Sequence, residues 1–252
     1  MLKIFDLSEK VAIVTGSNAG LGQGMAVALA RAGADIAGVN PSDSTETAAA
    51  VTALGRRFHH IRANLADSSR SQFVIDEVCQ VFGRIDILVN NAGIIRREDS
   101  LNFSEKDWDD VVDLNLKAVF FLSQAAARRF IAQDSPGKII NIASMLSFQG
   151  GIRVPSYTAS KSGVVGLTRL LACEWASKRI NVNAIAPGYM VTHNTAPLRA
   201  DQYRNAEILG RIPANRWGLP EDLAGPVVFL ASPASDYVNG YTLAVDGGWL
   251  AR

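Results

Sequence analysis

The sequence predicts an α/β fold: one doubly wound, mostly parallel sheet with helices on both faces, formed by a single domain over residues 1–252. Three observations predict it. Short β-branched or apolar runs recur along the chain, segments with helical spacing lie between them, and several of the runs are apolar nearly end to end. A strand covered by helices on both faces reads this way, whereas a half-exposed strand alternates.

The elements follow in order. Val11 to Thr15 forms the first strand and passes through a glycine-rich turn into a helix at Gly22 to Arg31. Ile36 to Asn40 and Phe58 to Ala63 are the next strands, and a helix over Ser68 to Phe82 precedes the strand Ile85 to Asn90. One long helix is expected over Glu105 to Ile131, then the strand Lys138 to Ala143 and a helix over Ser156 to Ser177. The strand Ile180 to Ala186, a helix over Glu221 to Ala231 and the strand Tyr241 to Val245 complete the alternation. No Pro/Ser-rich linker, low-complexity tract or repeat interrupts it. The longest strand-free stretch, Pro187 to about Leu219, carries Gly188, Pro197, Gly210 and Pro213 among polar residues. It predicts a lid at about 188–219, with an ordinary surface excursion as the alternative.

Composition narrows the function. Lys and Arg number 25 against 24 Asp and Glu, and a net charge of +1 offers no field for nucleic acid or an anionic membrane. Cys79 and Cys173 lie far apart without CxxC spacing, so neither a disulfide framework nor a thiolate zinc site is indicated and a reducing, cytoplasmic setting fits. Charged residues among the first fourteen and the lack of any long apolar run predict neither a cleaved signal nor a membrane span. Only three histidines occur, with no metal-ligand spacing, so no metal is expected.

Three constellations could carry chemistry. Thr15-Gly16-Ser17-Asn18-Ala19-Gly20-Leu21-Gly22 joins a strand to a helix, where backbone N–H groups and a helix N-terminus suit a pyrophosphate. Its GxxxGxG spacing departs from GxGxxG, and alone it equally fits a turn that lets the helix pack on the strand. Asn90-Asn91-Ala92-Gly93 ends the fourth strand at the sheet's carboxyl edge, where a polar ligand or simple Asx turn chemistry both fit. Tyr157 and Lys161, four apart, share one helical face, and an ammonium beside a phenol favours the phenolate. Ser144, just past a strand, could hold a carbonyl or hydroxyl oxygen while Tyr157 exchanges its proton. Such a Tyr/Lys pair by itself is more often a surface pair. Co-occurrence is what favours catalysis.

Taken together, Thr15-Gly16-xxx-Gly20-x-Gly22, Asn90-Asn91-Ala92-Gly93, Asn115, Ser144, Tyr157-xxx-Lys161 and Pro187-Gly188 resemble the short-chain dehydrogenase/reductase family over essentially the whole chain. The resemblance implies a Rossmann-like fold and a catalytic tetrad of Asn115, Ser144, Tyr157 and Lys161. In it Tyr157 is the general acid/base, Ser144 polarises the substrate oxygen, Lys161 also binds the nicotinamide ribose, and Asn115 holds a relay water. Gly16, Ser17, Asn18, Gly20, Leu21, Gly22, Asn40, Asn64, Leu65, Asn91, Ala92, Gly93, Tyr157, Lys161, Pro187, Gly188 and Thr192 are then the cofactor-binding residues, with Thr192 at the nicotinamide amide. Asn64 stands where the family usually has Asp, and its oxygen can still accept from adenine.

An acidic residue ending the second strand selects NAD and a nearby Arg accommodates NADP. Here Asn40 ends it, and neither Ser17-Asn18-Ala19 nor Pro41-Ser42-Asp43 supplies a cation, so NAD (as NADH) is expected over NADP. Arg96, Arg97 and Arg153 flank these motifs, and an arginine fork suits a carboxylate. Arg96, Gln149, Arg153, His193 and Asn194 are the candidate substrate contacts, with Arg153 foremost because its segment leads into Tyr157. Within the family, the stretches 94–99, 144–157 and 236–241 resemble bacterial members that act on small keto or hydroxy sugar acids in pectin or uronate breakdown. A homotetramer is also implied by family resemblance, through the helices Glu105 to Ile131 and Ser156 to Ser177 and the C-terminal segment. A serine hydrolase is disfavoured because Ile142-Ala143-Ser144-Met145-Leu146 is no GxSxG elbow. A non-catalytic NAD-binding sensor or scaffold is the competing class.

Overall fold

A computed structural model describes residues 2–252. Seven strands, β1 (Val11–Thr15), β2 (Asp35–Asn40), β3 (Phe58–Arg62), β4 (Ile87–Asn90), β5 (Gly137–Ile142), β6 (Ile180–Pro187) and β7 (Thr242–Val245), form one sheet. Its order is β3-β2-β1-β4-β5-β6-β7 and every pairing is parallel. The order reverses between β1 and β4, and a crevice opens there beyond the carboxyl ends of the strands.

Alternation along the strands divides the core between two faces. Val11 and Ile13 join α3 (Arg70–Phe82), α5 (Ala118–Ala132) and α6 (Pro155–Trp175) on one face. Ala12 and Val14 join α1 (Gly20–Arg31), α2 (Thr45–Ala53) and α9 (Ala224–Ala231) on the other. β1, β2, β4 and β5 are buried throughout, which is why they read as continuous apolar runs.

The expected fold class therefore holds, with three local differences. The long helix of residues 105–131 is two helices, α4 (Glu105–Val112) and α5, joined by a π turn over Asp113–Lys117. α2 was not anticipated, since only Thr47 and Val51 of its nine residues are buried and no apolar stripe marks it. The strand-free segment near 188–219 carries two further helices, α7 (Ala196–Ala200) and α8 (Gln202–Arg211). Its ends meet: Val191 N–H donates to the Gly218 carbonyl at 2.7 Å, and Gly218 N–H to Tyr189 at 2.9 Å. The segment is thus a flap that leaves and rejoins the body at one place.

Among the described residues, no helix is long and apolar enough to cross a membrane. Close packing of β5 on α5 leaves no room at Gly137, where an added Cβ would fall 2.1 Å from Phe130 Cδ2. Gly137→Ala is expected to cost about 2 kcal/mol through overpacking. Thermal unfolding would then begin several degrees lower, with the far-UV CD spectrum of the folded state unchanged.

Candidate active site

β1 and β4 end side by side at the crevice, and their turns are tied together. Thr15 Oγ1 accepts from the backbone N–H groups of Asn91 (3.0 Å) and Ala92 (2.9 Å), while Asn91 Nδ2 donates to the carbonyls of Thr15 (2.9 Å) and Gly16 (3.1 Å). Gly16 takes φ +65° and Gly20 φ +56°, left-handed conformations open to glycine. A Cβ on Gly22 would lie 2.0 Å from the Gly16 carbonyl oxygen. The turn is therefore packed against its own helix and against the β4 tip.

Above this floor lies a cleft of about 960 Å³. Of the expected cofactor residues, Gly16, Asn18, Gly20, Leu21, Gly22, Asn91, Ala92, Gly93, Tyr157, Lys161, Pro187, Gly188 and Thr192 line it. Ser17, Asn40, Asn64 and Leu65 do not. Asn40 is buried beneath the glycine turn, its Oδ1 accepting from Asn18 N–H (3.3 Å) and its Nδ2 donating to Ser44 Oγ (2.5 Å) and Ser17 Oγ (3.3 Å). Exposed Asn64 turns its Oδ1 to the Ala66 N–H at 3.2 Å, and Leu65 is buried in the core.

The catalytic candidates converge. Pro155 starts α6 at a position where its missing N–H costs nothing, which places Tyr157 and Lys161 in the first turns, facing the cleft with Ser144. Lys161 is buried, and its Nζ donates to the Ile142 carbonyl at 2.5 Å and lies 5.7 Å from the Tyr157 ring centroid. No carboxylate pairs with it among the described residues, and burial lowers its pKa from 10.5 to about 8. Burial pushes the Tyr157 phenol up, opposed by hydrogen bonding to Ser144 and by the Arg97 charge. Lys161 thus donates to the β5 carbonyl while its ammonium stays close to the Tyr157 ring, and the Arg97 charge also favours the phenolate.

Asn115 sits in the π turn, wholly buried behind the cleft wall. Its Oδ1 accepts from Ile94 N–H and its Nδ2 donates to the Ile94 carbonyl, both at 2.9 Å, so it holds the chain after Gly93 as a neighbouring strand would. Extra width in a helix at such a position is a frequent mark of functional sites.

The substrate candidates divide. Arg153, His193 and Asn194 line the cleft. Arg153 holds φ +62°, and its carbonyl accepts from Glu98 N–H at 3.1 Å. Arg96 turns away, ion-paired with Asp107 (3.3 Å) and Asp110 (3.7 Å), because α4 presents those two carboxylates to it. Gln149 also lies outside, its Oε1 accepting from Arg211 (3.2 Å) and Trp249 Nε1 (3.0 Å). Arg97, next to Arg96, is the cleft residue instead, and its Nη2 donates to the Asn194 carbonyl at the flap's root (3.1 Å). Asp201 and Arg204 of the flap, which no spacing in the sequence singles out, also line the cleft.

These features define a dinucleotide-linked oxidoreductase site, and comparison with known proteins agrees. A family model described as enoyl-(acyl carrier protein) reductase matches residues 16–250, and the chain belongs to the short-chain dehydrogenase/reductase family of oxidoreductases. It is 69% identical to the curated 2-dehydro-3-deoxy-D-gluconate 5-dehydrogenase of Escherichia coli (strain K12) over 252 residues, 100% of both chains. A solved Agrobacterium tumefaciens structure with bound NADP is 56% identical with a TM-score of 0.94, covering 99% of this chain and 100% of that one. A gluconate 5-dehydrogenase from Burkholderia cenocepacia J2315, solved with NADP and tartrate, is 39% identical with a TM-score of 0.94, covering 100% of this chain and 99% of that one.

The cleft fits the nicotinamide dinucleotide that the family uses. α1 begins at Gly20, and Ala19 before it supplies no side-chain cap, so its first N–H groups are free for a pyrophosphate at the cleft wall. Opposite, an added Cβ on Gly20 would come within 3.9 Å of Thr192 Cγ2, so the glycine turn and the flap's root face each other at close quarters. Gly22→Ala is expected to weaken dinucleotide binding about tenfold or more by displacing the turn. Titration calorimetry reads this directly.

The buried lysine gives a second prediction. Because the fold lowers its pKa, the folded state binds fewer protons than the unfolded state between about 8 and 10.5, so this group's contribution to stability rises with pH across that window. Relative to Lys161→Met, the wild type should gain on the order of 3 kcal/mol between neutral pH and the top of the window. Paired denaturant melts at several pH values measure the difference.

Proposed function

We propose that the protein interconverts a ketone and a secondary alcohol on a small sugar acid, reducing 3-deoxy-2,5-hexodiulosonate at C5 to 2-keto-3-deoxygluconate with NADH. The observation that carries this is the convergence of Ser144, Tyr157 and Lys161 in one cleft whose mouth bears Arg97 and Arg153. The E. coli relative's name supplies the substrate, and tartrate in the Burkholderia relative is likewise a hydroxy acid.

A nicotinamide dinucleotide held by the glycine turn, Asn91, Lys161 and Thr192 would supply the hydride for the substrate's carbonyl carbon. Every other task falls to side chains. Ser144 donates a hydrogen bond to the carbonyl oxygen and aligns it with Tyr157. Tyr157 gives its proton to that oxygen as the C–O bond becomes single. A phenol pushed up by burial stays protonated at neutral pH, the state in which it can donate, and the Arg97 charge stabilises the phenolate left behind. Lys161 lies beneath the phenol and binds the nicotinamide ribose. Asn115 fixes the chain after Gly93 and, with a water, returns a proton from solvent. Arg97 and Arg153 bind the substrate carboxylate, and the flap, rooted beside Asn194, closes over it.

Asn40 brings no charge to the ribose end, which supports NADH as the working cofactor. The apolar side chains exposed on α4, α5 and α6, Trp108, Phe121, Ile131 and Leu170, support a homotetramer formed through these helices. The free thiols Cys79 and Cys173 support a reducing, cytoplasmic location.

Two variants test the assignment. Tyr157→Phe should lower kcat by about 10³-fold or more while NADH affinity, read by fluorescence, stays within about twofold. Arg97→Gln should raise KM for the keto acid about tenfold and also lower kcat, since it both binds the acid and stabilises the phenolate. An unchanged KM with Arg97→Gln would remove that residue from carboxylate binding.

A further inference from the structure

We infer that Trp249 is a positioning residue for the reduction: it holds the flap against the segment that follows Ser144 and so sets the width of the substrate end of the cleft. The inference rests on the reading of the cleft as the site of a keto-acid reductase. The flap has little apolar anchorage of its own. Of the ten residues of α8, Ile208 alone is buried, while Leu198, Asp201 and Arg204 face the cleft. A segment with so few buried contacts takes its position from its neighbours.

The neighbour is the turn after β7. Gly247 (φ +67°) and Gly248 (φ +91°) bend the chain against the end of α8, so closely that a Cβ on them would lie 3.0 Å from Ile212 Cγ2 and 3.0 Å from Pro213 Cγ respectively. Ala214 N–H donates to the Gly247 carbonyl and Arg252 Nη2 to the Gly210 carbonyl, both at 2.9 Å. Trp249, 4% exposed, follows this bend and is packed with Met145, Ile208 and Ile212.

The cleft wall and the flap meet on this indole. The Tyr189 ring, at the flap's root, packs edge to face with it, centroids 4.8 Å apart. The Arg211 guanidinium, at the end of α8, lies 4.1 Å from its ring centroid. Its Nε1 donates to Gln149 Oε1 at 3.0 Å, and the same oxygen accepts from Arg211 Nη2 at 3.2 Å. Gln149 in turn donates its backbone N–H at 3.2 Å to the carbonyl of Met145, the residue after Ser144. Tyr189 and Met145 both line the cleft, so the indole is wedged behind two parts of its wall. The dinucleotide end is built separately, on the turns after β1 and β4. Holding the flap at a fixed distance from Ser144 limits the freedom lost when substrate binds and keeps its carbonyl aligned with Tyr157.

Steady-state kinetics with 3-deoxy-2,5-hexodiulosonate and with a neutral ketose, beside calorimetric titration of NADH, test this on protein shown to be folded by CD. Trp249→Leu should lower kcat/KM about 10²-fold, shared between a higher KM and a lower kcat, with NADH affinity within about twofold. Trp249→Phe, which keeps a ring against Tyr189 and Arg211, should recover to within about threefold of wild type. Arg211→Met, at an exposed position, should raise KM about threefold through the lost cation–π contact. A Trp249→Leu variant that melts earlier yet keeps the wild-type KM and kcat, or one that loses NADH affinity in proportion, overturns the inference. If Trp249→Leu does not fold, an unchanged KM in Arg211→Met overturns it. A wild type that reduces only the neutral ketose overturns the proposed substrate instead, and the same comparison is read on the ketose; a wild type that reduces neither overturns both.

Discussion

The clamp between Thr15 and Asn91 is the constraint on which the rest of the site depends. A parallel sheet whose order reverses between β1 and β4 leaves two adjacent turns that diverge to opposite faces, and nothing in the ladder itself holds them together. One hydroxyl and one amide do so, with two backbone N–H groups on Thr15 Oγ1 and two carbonyls on Asn91 Nδ2. Each partner is a main-chain group at the ends of β1 and β4. The glycine turn then packs against a fixed surface, and the free N-terminus of α1 is held at the cleft.

The second organising feature is electrostatic. Lys161 is buried with a carbonyl rather than a carboxylate as its partner, so the cleft floor carries an amine whose charge is weakly held. Arg97 and Arg153 stand at the mouth, and Arg96, adjacent in sequence, is neutralised by α4. An anionic substrate meets positive charge at the entrance and a phenol that is still protonated within. This division suits reduction: charge binds the acid, and a neutral donor supplies the proton.

Most of this was legible in the sequence, for a physical reason. Strands buried on both faces leave continuous apolar runs, and glycine turns, the Tyr157-xxx-Lys161 pair and Ser144 lie on the elements that fix their direction. Legibility ends where direction depends on the path of a loop. Arg96 and Arg97 are chemically identical neighbours, and only the position of α4 decides which of them faces the cleft. Gln149 is taken up by Trp249 from the far end of the chain, a contact no local pattern announces. The π turn at Asn115 widens the helix without altering its apolar spacing, so one long helix was the natural expectation.

The central claim is that this cleft reduces a keto group on an anionic sugar acid. The most direct measurement follows NADH absorbance while the wild-type protein is offered 3-deoxy-2,5-hexodiulosonate and, separately, neutral ketoses of similar size. The account predicts that kcat/KM for the acid exceeds that for the neutral ketoses by about 10²-fold, the worth of a paired carboxylate held by two arginines. Equal kcat/KM for acid and neutral ketones would contradict it.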